Sequence, residues 1–527
     1  MRVTQIWIQL SLQCSISYAS KKKEKIVVST NTKNLQEQLF YKDLPTLAEI
    51  LPQDFKAIII KGRENYFCQK RWQEAMLNIN SVTSYEAHGL LYLIIWQAMT
   101  QTGDISENSV FEKSKFPGSW RKIMSERYFC SGKKCQFFKE CHVMNVKKKL
   151  EDSNILIVNH SLLLSDLMNE HQSLGEYNKV IIDEAHNLPS VAGKHLGISL
   201  TYSEINQVLN HIIFIKNKKK IGILQSFLSV VENTMPDSAK QKTIFISQVN
   251  RIIDFIADNK REFLDFFNKL TDTADQKGSY GKYRLKTSQA IPSFESDLAK
   301  LGSIWMQLKN HIFTLTETLR DTSDKIVHEH EKHLTSLEGV LGQVNEISET
   351  FEELATPKWS EYAVWLEMMH QRSGDFPTAI INYAPIEVND KLNEYLYNAI
   401  DTLIMTSATL AIRGVFKFFL NQSGLALLED RPIEQLSVPS PFNYQTQSQL
   451  LLPSFLPLPK DQFFVDQAIK VINELVCQNP QGCMVLFTSY KDLNYAYNSL
   501  QESFFEHGIK LLAQGISGNR TAILNEF

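Results

Sequence analysis

Lys179-Val180-Ile181-Ile182-Asp183-Glu184-Ala185-His186-Asn187 is a short apolar run followed at once by two carboxylates. Apolar residues without alternation predict a strand buried on both faces, as in parallel sheets covered by helices. Such a strand delivers its last residues to the carboxyl edge of the sheet, where open α/β folds bind ligands. Nucleotide hydrolysis needs two acids there. Asp183 is placed to hold Mg²⁺ through its water shell and Glu184 to orient and polarise an attacking water, while His186 reports nucleotide state to the substrate-binding surface. A bare Asp-Glu pair would read more plainly as a solvated helix N-terminus.

The full order Asp183-Glu184-Ala185-His186 resembles the DEAH form of the Walker B box in superfamily 2 helicases. A second apolar strand, Leu403-Ile404-Met405-Thr406, runs into Ser407-Ala408-Thr409. It resembles the Ser-Ala-Thr motif that links ATP hydrolysis to strand movement in those helicases. Hydroxyls suit that work because they exchange hydrogen-bond partners without a change of charge.

With 527 residues, 43% of them hydrophobic and 21% charged, the chain is long enough for several cores, because single cores stop growing at a smaller size. The net charge of -3 excludes a uniformly basic coat, so any nucleic-acid site must come from local asymmetry. No run of about eighteen apolar residues is present, so no membrane span is expected. The mildly apolar stretch from Ile6 to Ala19 is interrupted by Gln9 and Gln13 and makes a poor signal peptide. Seven cysteines, an odd number, do not suit a secreted disulfide frame. Reducing cytoplasm is the expected compartment.

Near the start, Lys25 to Thr32 predicts a strand and Leu35 to Leu39 a helix, with Thr30, Asn31 and Thr32 able to cap that helix and offer N–H groups to a phosphate. This run resembles motif Ia of the DinG branch of iron–sulfur helicases, which contacts the nucleic-acid backbone. A P-loop needs Gly-x-x-x-x-Gly-Lys-Ser/Thr. Gly-Lys occurs only at Gly132-Lys133, Gly193-Lys194 and Gly281-Lys282, none followed by Ser or Thr, so no Walker A residue is assigned.

The strand Ile58-Ile59-Ile60 leads through Lys61-Gly62-Arg63-Glu64-Asn65-Tyr66-Phe67 to Cys68, and Cys130, Cys135 and Cys141 follow as C-x4-C-x5-C. Four clustered thiols suggest a metal or an iron–sulfur group, and without a paired CxxC knuckle the spacing suits a [4Fe–4S] cube better than zinc. The pattern looks like the iron–sulfur domain of DinG and XPD-type helicases. From Phe111 to Leu150 there are eleven Lys/Arg against three Glu, interleaved with Phe116, Trp120, Tyr128, Phe129, Phe137 and Phe138. Basic residues follow a phosphate backbone and aromatics stack on unpaired bases. Single-stranded DNA is expected here, on Trp120 and on Lys147, Lys148 and Lys149 among others.

Ile155 to His160 predicts a return to the sheet, and Asn159 to Leu163 resembles a further segment of the family. His160 reads equally as a satisfied capping residue. From Tyr202 to about Glu353 the chain is polar and helical, with Leu334, Leu337, Leu341, Val344, Ile347, Phe351 and Leu354 at three-and-four spacing. By position it matches the family's arch domain. Tyr362 to Glu367 and Ala384 to Ile386 are expected to lead back to the first motor domain. Ser440-Pro441-Phe442 reads as a turn, and Gly482 to Tyr490 as a buried strand like helicase motif IV.

The resemblance implies α/β architecture with two RecA-like parallel-sheet motor domains, the first interrupted by an iron–sulfur insertion and a helical arch. Residues 1–61, 151–200 and 358–415 are expected to form the first motor domain, 62–150 the iron–sulfur domain, 201–357 the arch and 416–527 the second motor domain. The function it implies is ATP-driven 5′-to-3′ unwinding of single-stranded or forked DNA, with Mg²⁺, a [4Fe–4S] cluster held by Cys68, Cys130, Cys135 and Cys141, and ATP as substrate. The sequence looks incomplete at both ends, lacking the P-loop and the late arginine motifs, so weak hydrolysis by this polypeptide alone is the expectation. Two other readings are a non-catalytic single-stranded-DNA-binding remnant and a zinc-bearing structural protein.

Overall fold

Ile26–Thr30 (β1) is buried along its whole length in a computed structural model of the protein. The structure describes residues 24–527 except 53, 78, 80–81, 109, 112, 114, 170, 172, 217–218, 278–281, 286–292, 324–325, 369–378, 441, 480, 518–522 and 524–525. The stretch from Ile6 to Ala19 and the proline of the 440–442 turn lie outside the described residues. The chain divides into two compact units, Met1–Val438 and Pro439–Phe527.

In the first unit, β1 leads into Lys33–Gln38 (α1), and after a wide π turn Leu44–Ile50 (α2) returns the chain to Ala57–Ile59 (β2). Ile155–Asn159 (β3) follows after a long insertion, His160–Met168 (α3) crosses over, and Lys179–Asp183 (β4) carries the two acids. These strands and Thr402–Thr406 (β5) form one parallel sheet in the order β5-β4-β1-β3-β2. Val27, Leu156, Val158, Val180 and Ile182 face one layer of helices. Ile26, Val28, Ile155, Ile157 and Ile181 face the other layer, with Leu39, Leu44 and Leu47. This is why the strands read as unbroken apolar runs: each side chain, on either face, is worth about 1.5–3 kcal/mol when fully buried. The α/β parallel-sheet class expected from the sequence is the one observed.

Two insertions have cores of their own. Between β2 and β3, Gln69–Leu77, Ser84–Met99 and Pro117–Ile123 surround Phe67, Trp72, Leu90, Leu93, Phe111, Phe116, Trp120 and Ile123, while Leu150 of His142–Glu151 packs towards the parallel sheet. Between β4 and β5, the helices Lys240–Lys277, Phe294–Arg320 and His330–Ala355 enclose a second core that includes Trp305, Val344 and Phe351. The strands Tyr362–Met368 and Ala379–Pro385 belong to that second insertion. They pair with Ile198–Thr201 and Lys282–Leu285 in an antiparallel sheet and do not rejoin the parallel one. The reason is their one-sidedness, since Val364 and Leu366 are buried in that core while their neighbours are only half covered.

In the second unit Phe464–Gln478 and Tyr490–Glu506 pack through Ile469, Val476, Ala496, Leu500 and Phe504. The expected buried strand at Gly482 to Tyr490 is not found. A strand needs a neighbour for its N–H and C=O groups, and among the described residues of this unit none is a strand. The run is extended instead, with Met484 65% and Leu486 85% exposed.

Candidate functional site

β4 and β5 pair in parallel with Thr406 opposite Asp183, so the two motifs meet at one point on the carboxyl edge of the sheet. Thr406 Oγ1 donates to Asp183 Oδ1 at 3.2 Å, and Ser407 Oγ donates to Glu184 Oε2 at 3.2 Å. His186 Nδ1 lies 2.7 Å from Ser407 Oγ and 3.2 Å from Glu184 Oε2. With the His186 proton on Nδ1, Ser407 Oγ accepts from His186 while it donates to Glu184, so one hydroxyl links the two residues. Thr409 donates its N–H to Ser407 Oγ at 3.3 Å, and Ala408 is exposed at the tip of the turn.

Burial raises the Asp183 carboxyl to about 6, and the charge of Glu184 adds to the effect. The Thr406 hydroxyl and the Glu184 N–H oppose it. A carboxylate held above its ordinary range by burial is one that a divalent cation would relieve. Glu184 itself adopts the left-handed conformation at φ 53°, ψ 43°. For a non-glycine residue that costs on the order of 1–3 kcal/mol and needs support from its surroundings.

That support comes from behind. His160 begins α3 and is 1% exposed. Its Nδ1 lies 2.7 Å from Ser29 Oγ on β1, and its ring lies against the main chain of Asp183 and Glu184. Burial pushes the His160 imidazole down to about 4, so it is neutral at physiological pH. Sequence reading left His160 as a possible cap and did not single out Ser29. Asp43, a buried carboxylate near enough to raise Asp183 slightly, was also missed. Its signal was a lone acid within the apolar run from Leu39 to Leu47.

Thr30 is buried and donates to the Thr32 carbonyl at 3.2 Å. Thr32 Oγ1 caps α1 by accepting from Leu35 N–H at 3.3 Å, and Asn31 is half-buried beside it. Lys33 Nζ donates to Asn65 Oδ1 at 2.6 Å, and buried Lys61 pairs with Glu37 at 3.1 Å and Asp104 at 2.6 Å. Neighbouring charges hold the Lys61 ammonium above its ordinary range although burial works against them. The helix after β1 is thus tied to the segment that leads to Cys68.

Cys68, Cys130, Cys135 and Cys141 line one cleft, together with Arg71, Phe137, Phe138 and His142. Burial raises the Cys68 thiol, while main-chain N–H groups and the Arg71 charge work to lower it. Among the described residues no three His, Cys, Asp or Glu side chains come close enough to hold a single metal ion. A zinc ion bound at about 2.3 Å would need its sulfurs roughly 3.8 Å apart. Four thiols around one cleft are a donor set that thiolate-bound iron or zinc would use.

The expectation that Trp120 stacks on DNA bases is corrected. Trp120 is 1% exposed, and its Nε1 donates to the Glu64 carbonyl at 2.8 Å. It sits in the core of the insertion with Phe111 and Phe116 and offers no face to a base. Lys147, Lys148 and Lys149 are exposed on the helix whose Val143 and Leu150 face inward. Just before Cys130, Tyr128 and Phe129 dock on the helix His330–Ala355. A Cβ on Gly339 would come within 2.6 Å of the Phe129 ring, and one on Gly342 would run into the Tyr128 ring. Phe129 also packs, tilted by 54° at a ring separation of 4.8 Å, on His211, and Gln343 donates to Glu126 at 2.5 Å.

The DEAD_2 family matches residues 108–205. The chain is 25% identical over 517 residues to the 3'-5' exonuclease DinG of Bacillus subtilis, covering 95% of this chain and 53% of that protein. It is 25% identical over 477 residues to the ATP-dependent DNA helicase YoaA of Escherichia coli, covering 90% and 65%. To the ATP-dependent DNA helicase DinG of Photobacterium profundum it is 26% identical over 528 residues, covering 95% and 71%. The chain therefore spans between about half and two thirds of the first two relatives. Among the described residues no helix is long and apolar enough to cross a membrane. Over most of its length the chain is thus similar in sequence to the DinG and YoaA proteins.

Proposed function

We propose that the chain supplies the nucleotide-hydrolysing edge and DNA-holding insertions of an ATP-dependent DNA helicase that moves 5′ to 3′ on a single strand. The observation that carries this reading is the Ser407 hydroxyl, which lies between Glu184 and His186 where the two motifs meet. Asp183 would hold Mg²⁺ through water, since its neighbours leave it a buried carboxylate without a cation. Glu184 would accept a hydrogen bond from the attacking water and align it with the γ-phosphate. Ser407 would pass a change at His186 to Glu184 through this chain of hydrogen bonds, and turning its hydroxyl away would release Glu184 to water. Thr406 and Asp183 keep the two strands in register throughout.

In this reading Cys68, Cys130, Cys135 and Cys141 would hold the [4Fe–4S] cluster. When bound, it would tie four separate turns of the insertion into one rigid body through thiolate–iron bonds. Lys147, Lys148 and Lys149 would follow the phosphate backbone of the DNA, beside the main chain of Thr30, Asn31 and Thr32. The test compares ATP hydrolysis by the wild type and Glu184→Gln with and without single-stranded DNA, alongside binding of that DNA. The DNA-stimulated part of a weak rate is expected to be lost in Glu184→Gln while DNA binding persists. A DNA-stimulated rate unchanged by Glu184→Gln would contradict the assignment.

A further inference from the structure

The carboxyl ends of three neighbouring strands are joined by one side chain that the hydrolytic reading does not use. β1 lies between β3 and β4, with Ser29 opposite both Val158 and Ile182. His160 follows directly after β3, bonds Ser29 at 2.7 Å, and reaches past β1 to the main chain of Asp183 and Glu184. Its Nε2 is buried and faces that main chain, short of full hydrogen-bond geometry. The residue it faces, Glu184, is the one held in a left-handed conformation, and the Asn187 N–H closes that turn onto the Glu184 carbonyl at 3.0 Å.

We propose that His160 is a positioning residue for Glu184. Ser29 donates to Nδ1 and fixes the tautomer with the proton on Nε2, and that N–H braces the Asp183–Glu184 main chain so that the Glu184 carboxylate faces Ser407. The brace also makes the segment after β1, which faces the nucleic acid in our reading, a mechanical neighbour of the hydrolytic acid. This rests on the reading of Glu184 as the water-orienting carboxylate. The ring itself touches no substrate.

The experiment uses the full chain in three variants. His160→Phe keeps the ring volume and removes both nitrogens. His160→Gln keeps a donor of similar reach, and Ser29→Ala releases the other end without altering the ring. Without nucleotide, hydrogen–deuterium exchange across Asp183 to Leu188 is expected to speed about ten-fold in His160→Phe, the equivalent of one hydrogen bond, and less in Ser29→Ala. His160→Gln is expected to restore slow exchange. With ATP and DNA, His160→Phe is expected to lower kcat about ten-fold and leave KM unchanged, again with rescue by glutamine. Exchange in this segment indistinguishable among all four proteins would overturn the brace, as would a loss in KM alone. If Glu184→Gln leaves hydrolysis untouched, the reading of Glu184 fails, and the nucleotide-free exchange still decides whether His160 holds the turn.

Discussion

Ser407 Oγ donates to Glu184 Oε2 at 3.2 Å although 223 residues separate the two in sequence. The long helical insertion leaves from the end of one strand and returns to the adjacent one, so its ends are held together by the sheet. Removing the hydroxyl should separate hydrolysis from movement. Ser407→Ala is expected to lower ATP turnover by less than about ten-fold, one hydrogen bond's worth, while DNA unwinding falls further. Parallel measurement of both rates checks this, and equal losses would show that Ser407 acts on hydrolysis alone.

Asp183 gives a pH-dependent prediction. Its folded pKa, about 6, lies above the ordinary value of 3.8. The folded state therefore binds the proton more tightly, and that contribution is full below about 3.8 and lost as pH rises through about 6. Asp183→Asn removes the penalty. In magnesium-free buffer its thermal stability relative to wild type should rise between pH 5 and pH 7 by roughly 1–2 kcal/mol. Differential scanning calorimetry at the two pH values measures it, and a constant difference would contradict the burial argument.

The insertion's aromatics and lysines should fail in different ways. Trp120→Ala empties a fully buried site and is expected to cost about 3–5 kcal/mol of local stability. Replacing Lys147, Lys148 and Lys149 together should leave thermal stability alone. If all three meet phosphate, the slope of log affinity against log salt for single strands should become less negative by about 2. Anisotropy titrations at several salt concentrations read the slope, and an unmoved slope would return these lysines to the solvated surface.

The glycine sockets on the helix His330–Ala355 offer a test of the contact beside Cys130. Gly342→Leu puts a side chain where the Tyr128 ring lies. Limited proteolysis should then cut faster between Tyr128 and Cys135 than in the wild type, with the helix itself intact by circular dichroism. Unchanged cleavage would mean that the two insertions do not depend on this contact.

For the metal, protein purified without oxygen is expected to be brown, with broad absorbance near about 400 nm, and Cys135→Ser to remove the colour. A colourless protein holding one equivalent of zinc would overturn the cluster.

The parallel sheet was legible because its strands are short apolar runs that end in polar residues, as at Ile182-Asp183 and Met405-Thr406. Which strands are neighbours was not, since pairing of β4 with β5 depends on a crossover that no local pattern records. Trp120 was misread because basic and aromatic residues were counted together. The spacing of Phe116, Trp120 and Ile123 by four and three already describes the inner face of a helix. The run from Gly482 to Phe487 looked like a strand on apolarity alone, but apolarity does not supply a hydrogen-bonding neighbour. His160 was visible only as a polar residue beside a strand, because its partners come from two other strands.

The most direct measurement is strand separation by the protein on a forked duplex carrying a single 5′ tail, compared with one carrying a single 3′ tail, with ATP and Mg²⁺. The account predicts that strand separation, slow in this polypeptide, occurs on the 5′-tailed duplex only and is lost in Glu184→Gln while DNA binding persists. Unwinding from the 3′ tail, or unwinding that survives Glu184→Gln, would contradict it.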